Sequence, residues 1–184
     1  MQRFKKHLFV LIDFKGHPQL SNDANNKKRY NNFISLYNLQ SPSFLKKKFI
    51  VINNTPLSED QGLTDIKNNI VSKGVNWIDV DSFSNINDVL DKIKVKNEST
   101  QIYIAGTNTS GCCYASKKLG AYYWAKQGFN VEINLKYCYD NFSTGETDSD
   151  KQLSSVCVLY KNIYNHQLND KIKITNEIRI LENE

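Results

Sequence analysis

Short runs of strand-forming residues alternate along this chain with longer amphipathic segments, and this alternation limits the possible folds more than any other feature. The strand-like runs are residues 7–12, 49–52, 75–78, 102–105, 131–135 and 172–174, the last extending at most to residue 180. The first, second and fourth are nearly continuous Val, Ile, Leu and Phe, which is typical of strands covered on both faces. We therefore expect these three at the centre of a sheet.

Helical patterns separate the predicted strands. They cover residues 25–39, 87–94, 111–127 and 151–164. The third pattern has Thr109 or Ser110 as its N-cap and Gly128 as a left-handed stop. The polar stretches 16–22 and 53–65 are predicted to be loops. Alternating strands and helices predict a three-layer α/β/α fold with a mostly parallel sheet of about six strands.

Length and composition are those of one soluble domain. The 184 residues, 40% of them hydrophobic, predict a single domain spanning 1–184. No apolar run approaches the ~20 residues that a membrane span needs. Residues 8–12 lack the cleavage site of a secretory signal, so residue 1 is expected to belong to the fold. The four cysteines show no metal-binding spacing and indicate a reduced, cytoplasmic protein.

The positive net charge does not indicate a nucleic-acid partner. Lys and Arg number 24 against 19 Asp and Glu, but the excess is scattered lysine. Nucleic-acid binders usually concentrate their cations and favour arginine for contacts to phosphate and guanine. A lysine-rich solvated surface is therefore the expected interpretation, and nucleic-acid binding would need those lysines gathered on one face.

Two residues that follow predicted strands could carry chemistry. Ligands of such sheets bind outside the carboxyl ends of the strands, where Asp13 follows the first strand. The fourth strand runs into residues 106–113, which places Cys112 in the first turn of the next helix. Such a turn favours a thiolate and offers N–H donors to an oxyanion. The structural alternatives are a turn residue at Asp13 and a small buried hydrophobe at Cys112.

Neighbouring residues have narrower candidate roles. Cys113 lies about 100° around the helix from Cys112, so we expect only one of the two sulfurs to face a pocket and the other to pack. Trp77, near the end of the third predicted strand, is a candidate pocket wall, with core packing as its alternative.

Several of these segments together resemble a known family. They are Leu11-Ile12-Asp13, the run Ile104-Ala105-Gly106-Thr107-Asn108-Thr109-Ser110-Gly111-Cys112, and the helix-ending Gly128-Phe129-Asn130-Val131. This pattern resembles the isochorismatase-like cysteine hydrolases from the first strand to the fifth. The resemblance implies a Rossmann-like topology and frequent assembly into homo-oligomers.

The resemblance also implies roles for individual residues. Cys112 would be the nucleophile and Asp13 the carboxylate that takes its proton. Gly111 and Cys112 would offer backbone N–H groups to the oxyanion, and the Asn108-Thr109 region would hold a cis peptide. The third catalytic residue of the family is a lysine or arginine shortly before a strand that ends in an aromatic residue. The segment from Lys73 to Trp77 is similar to this pattern, so Lys73 is the candidate. With a different register that position would fall on Trp77 or Ile78.

We therefore expect a hydrolase that cleaves a C–N bond of a small-molecule amide through a thioester, with an Asp-Lys-Cys triad and no cofactor. A metal-assisted variant is not expected, because His7, His17 and His166 do not form the family's metal-binding pattern. The alternative is a binding or interaction protein that kept the scaffold and lost turnover.

Overall fold

The computed structural model describes residues 6–14, 31–32, 34–35, 49–55, 61–81, 83–107, 109–139 and 148–176. Within them, six strands form one parallel sheet: β1 (Lys6–Ile12), β2 (Phe49–Asn53), β3 (Asn76–Asp79), β4 (Thr100–Thr107), β5 (Asn130–Tyr139) and β6 (Ile172–Thr175). Their order is β3-β2-β1-β4-β5-β6. The predicted parallel sheet is confirmed, and its three most apolar strands are neighbours in the middle.

The helices of the described chain are α1 (Gln61–Ser72), α2 (Ile86–Ile93), α3 (Ala121–Lys126) and α4 (Asp148–Asn165), and residues 31–32 and 34–35 are also helical. Helix α2 begins at the predicted place because Asn85 caps it and Asp88 completes a capping box. The prediction of a loop over 53–65 is wrong at its end, because residues 61–65 belong to α1, a helix that the sequence did not predict. No described helix has the length and apolar character needed to cross a membrane.

Alternate residues of the central strands supply two cores, one on each face of the sheet. On one face, Leu8 and Val10 of β1 belong to a cluster shared with α2, α3 and α4. On the other, Phe9 and Leu11 pack with the apolar side of α1. The period of two along β1 therefore builds both layers, as expected for a strand covered on both faces. This confirms the three-layer α/β/α arrangement.

The helix predicted over 111–127 is broken in two. A single π-helical turn covers Cys112–Ser116, and α3 begins only at Ala121. Between them Gly120 comes so close to the preceding turn that a Cβ there would lie 2.4 Å from the Tyr114 carbonyl oxygen. The N-cap of the π turn is Gly111, without a side-chain hydrogen bond, so the predicted capping by Thr109 or Ser110 is wrong.

Strand order reverses between β1 and β4, which lie side by side at the centre of the sheet. A side chain does not fit where their carboxyl ends meet, because a Cβ on Gly106 would lie 1.9 Å from the Ile12 carbonyl oxygen. In doubly wound sheets this reversal opens a crevice at the carboxyl edge, where ligands bind. The residues that follow β1 and β4 therefore line the expected ligand-binding edge of the sheet.

Candidate active site

Asp13 follows β1 directly and has an unusual backbone conformation. Its φ is 47°, in the left-handed region that residues other than glycine rarely adopt. Its backbone N–H donates to Asn54 Oδ1 at 3.0 Å, which ties it to the residue that follows β2. Such local strain is often found at functional sites, where the surrounding structure holds it in place. The Asp13 side chain remains about one third exposed.

Cys112 opens the π turn that follows β4, and the backbone carbonyl of Gly111 accepts hydrogen bonds from Tyr114 and Ala115 at 3.1 and 2.9 Å. Single π turns are frequent at functional sites. Cys112 is half-buried whereas its neighbour Cys113 is fully buried in the core. The expectation that only one of the two sulfurs faces outward is confirmed.

The thiol of Cys113 interacts electrostatically with both candidate groups, Cys112 and Asp13. The pKa of its thiol lies well above the ordinary value, first because Cys138 hydrogen-bonds to it and second because it is buried. Electrostatic interactions with Cys112 and Asp13 raise this pKa further. Both candidate groups therefore lie within electrostatic reach of the same sulfur.

Lys117 places an ammonium group at this edge. Its Nζ lies 3.6 Å from Asp13 Oδ2, and both side chains are about one third exposed. Lys117 is the extended residue that directly follows the π turn, so the break in the predicted helix determines where its side chain lies. The site thus combines a thiol, a carboxylate and an ammonium group.

Lys73, the expected third member of the triad, lies elsewhere. It precedes β3, whose first residue Asn76 pairs with Ile50, and Ile50 is level with Leu8 of β1. At about 3.3 Å per residue, the start of β3 is roughly 16 Å before Asp13 along the strand direction. The structure therefore does not bring Lys73 to Asp13, contrary to the expectation, because a residue preceding a parallel strand lies at the opposite edge.

Trp77 belongs to β3 itself and not to the edge around Asp13. Its indole N–H donates to Asp79 Oδ1 at 2.8 Å, and its ring packs against the core on the α1 face. Asp79 also accepts hydrogen bonds from Asn53 and Lys67. The packing alternative for Trp77 describes these contacts better than a pocket wall.

The other expected site residues lie between β4 and the π turn. Thr109 is buried, and Gly111 is half-buried. The backbone N–H of Ser110 donates to Ser155 Oγ of α4 at 3.1 Å, which anchors this loop to the neighbouring helix. Asn108, and with it the expected cis peptide, lies outside the described residues.

Two residues at this edge were missed by the sequence analysis. Nothing in the sequence distinguished Lys117 from other lysines, because a continuous helix would have turned it away from Cys112. Asn54 directly follows a central strand, so the rule that selected Asp13 could have selected it too. Among the residues that the structure describes, no three His, Cys, Asp or Glu side chains cluster as a metal site would require.

No protein-family model matches this sequence, and neither does any curated protein. Among solved structures, the chain is similar to a nicotinamidase from Staphylococcus aureus, with a TM-score of 0.48 and 11% sequence identity. The similarity covers 92% of this chain and 99% of the nicotinamidase. At this identity and TM-score it assigns no activity and no residue role, so the chemistry has to be argued from the site itself.

Proposed function

We propose that this chain is a cysteine hydrolase that cleaves the C–N bond of a small amide, with Cys112 as nucleophile and Asp13 as general base. The observation that carries the proposal is the placement of both residues beside the strand-order reversal. Asp13 follows β1, Cys112 opens the turn after β4, and these strands are neighbours. A crevice at that point is the usual ligand site of a doubly wound sheet.

In the first half of the reaction, Asp13 takes the proton of the Cys112 thiol. The thiolate attacks the amide carbonyl carbon, and the carbonyl oxygen becomes negatively charged. We propose that the backbone N–H groups of Gly111 and Cys112 hold this oxygen. The C–N bond then breaks, the leaving amine takes the proton from Asp13, and a thioester remains on Cys112.

In the second half, Asp13 takes a proton from water, and the resulting hydroxide attacks the thioester carbonyl carbon. The C–S bond breaks, the carboxylic acid leaves, and the Cys112 sulfur recovers its proton from Asp13. Lys117 is the ammonium group beside Asp13, and we propose that it replaces Lys73 as the positive charge of the site. These steps are balanced without a cofactor.

Release of ammonia from purified protein tests the proposal. We expect turnover of at least one member of a panel of small primary amides. Cys112→Ala and Asp13→Asn should each abolish it, whereas Cys157→Ala, on the exposed face of α4, should not. Asn is chosen at position 13 because it tolerates the left-handed backbone. Turnover that survives Cys112→Ala would rule out the mechanism.

The second candidate is a binding or interaction protein that kept the scaffold without turnover. The remote position of Lys73 favours it, since the expected triad is incomplete without another cation. A Cys112→Ala variant that binds the same small molecules and keeps the same biological activity would support this alternative. The small-molecule ligand, the homo-oligomer and the cytoplasmic location remain parts of our proposal in either case.

A further inference from the structure

Two adjacent residues at the site edge bury polar atoms that have no hydrogen-bond partner. They are Asn54 Nδ2 and Thr55 Oγ1, and Thr100 Oγ1 is the other such atom in the described part of the chain. Asn54 is 1% exposed and Thr55 is 5% exposed. Because a buried polar group without a partner is costly, such a group in a native protein calls for an explanation.

The orientation of the Asn54 amide follows from its one hydrogen bond. Asp13 donates its backbone N–H to Asn54 at 3.0 Å, so the atom that accepts must be the amide oxygen. The NH₂ group is therefore the end without a partner, and it offers two donors. A hydrogen-bond acceptor is needed to satisfy them, and a carboxylate or carbonyl oxygen is the strongest common one.

The neighbouring side chain, Asn53, shows what a satisfied amide looks like at the same edge. Its Nδ2 donates to the Thr55 carbonyl at 2.7 Å and to Asp79 Oδ1 at 3.0 Å, and its Oδ1 accepts from the Thr55 N–H at 3.2 Å. The contrast between the two amides places the unmet donors at Asn54, directly beside the general base.

We propose that Asn54 Nδ2 binds an acceptor oxygen of the substrate at a point beyond the amide that is cleaved. The strand order places β1 between β2 and β4, so Asn54 and Cys112 lie on opposite sides of Asp13. Two strand spacings amount to about 10 Å. A substrate whose reacting carbonyl is at Cys112 reaches Asn54 only through the far end of its acyl group.

This inference rests on the proposed function and narrows its substrate class. The substrate is a small amide whose acyl chain ends in a carboxylate or carbonyl oxygen, as in the monoamide of a short dicarboxylic acid. Simple alkyl amides of the same length lack the acceptor and leave the Asn54 donors unsatisfied.

Matched pairs of amides test the subsite. Succinamate and glutaramate carry a terminal carboxylate, and butyramide and valeramide are their methyl-ended counterparts. We expect kcat/KM to favour the carboxylates at least about tenfold. Asn54→Asp replaces the donors by an acceptor while keeping an oxygen for the Asp13 N–H, so this ratio should fall to one or below. Asn69→Asp, the same change on the exposed side of α1, should keep the ratio.

A binding measurement separates this inference from the proposed function. In ¹⁵N-labelled Cys112→Ser protein, the Asn54 side-chain NH₂ signals, assigned through the backbone, should move on adding glutaramate and not on adding valeramide. Such a shift without turnover in the unmodified protein would keep the subsite and overturn the hydrolase. Turnover with equal rates for both members of each pair, or an NH₂ pair that neither compound moves, would overturn the subsite.

Discussion

Lys117 Nζ lies 3.6 Å from Asp13 Oδ2, although the two residues come from distant parts of the chain. The contact forms because β1 and β4 are neighbours and Lys117 directly follows the π turn after β4. An exposed ion pair of this kind contributes little to stability, about 0–1 kcal/mol. Its position beside the proposed general base also matters for the proposed reaction, since a positive charge at the site would stabilise the thiolate and the oxyanion.

Replacing Lys117 should therefore affect turnover more than stability. We expect Lys117→Gln to lower kcat/KM by about 100-fold, the effect of removing one electrostatic group from such a site, while the thermal midpoint changes little. Lys118→Gln, an exposed neighbour, is the control and should have no effect. Lys73→Gln should also leave turnover unchanged, and a large loss in that variant together with none in Lys117→Gln would contradict the assignment.

Thiol labelling distinguishes the four cysteines by burial and by reactivity. Cys113 and Cys138 are buried, Cys112 is half-buried and Cys157 is exposed. We expect iodoacetamide to modify Cys112 and Cys157 in the native protein, and the other two only after denaturation. Near pH 6, Cys112 should react first, as the proposed nucleophile requires.

Mass spectrometry of the labelled peptides measures these rates. A Cys157→Ser variant gives the Cys112 rate without interference, and a Cys112→Ser variant gives the rate of an ordinary exposed thiol. Slower labelling of Cys112 than of Cys157 at pH 6 would mean that Cys112 is not an activated nucleophile.

Gly106 should tolerate no side chain. A Cβ there would lie 1.9 Å from the Ile12 carbonyl oxygen, so β1 and β4 would have to separate. We expect Gly106→Ala to lower the free energy of unfolding by about 3 kcal/mol or to prevent folding. Gly74→Ala, at an exposed turn with φ of 79°, should cost only about 1 kcal/mol. Urea unfolding measures both, and equal effects would show that the two strands can move apart freely.

Asp79 should contribute a pH-dependent part of the stability. Burial alone would raise the pKa of this carboxyl, but hydrogen bonds from Asn53, Lys67 and Trp77 outweigh it and hold the pKa below the ordinary 3.8. A carboxyl with a lowered pKa in the folded state stabilises the protein above its unfolded pKa. This stabilisation is lost as the pH falls through the folded value.

The comparison of unmodified protein with Asp79→Asn checks this sign. The difference in unfolding free energy should be full between pH 5 and 7 and should shrink as the pH falls below about 4. Asp91→Asn, an exposed carboxyl on α2, is the control and should show a smaller difference. A difference that grows on acidification would contradict the role assigned to the hydrogen bonds.

Much of the fold was predictable because its signals are local. The apolar runs predicted β1, β2 and β4 as central strands, since a strand covered on both faces must be apolar at every position. The same reasoning placed Asp13 after the first strand and Cys112 after the fourth, and the structure shows that these two strands are neighbours. Helix α1 was missed altogether, because the sequence around it is polar and gives no clear boundary.

The sequence by itself determined the strands, the parallel sheet and the two groups that follow β1 and β4, because strand periodicity and the residues after each strand can be read locally. Only the tertiary structure decided that the helix breaks between Ser116 and Ala121, that Lys117 and not Lys73 lies beside Asp13, and that the Asn54 amide keeps unmet donors. These three features depend on which backbone segments approach each other at the edge of the sheet. Contacts between segments distant in sequence produce no periodic pattern of residues, so the sequence does not predict them.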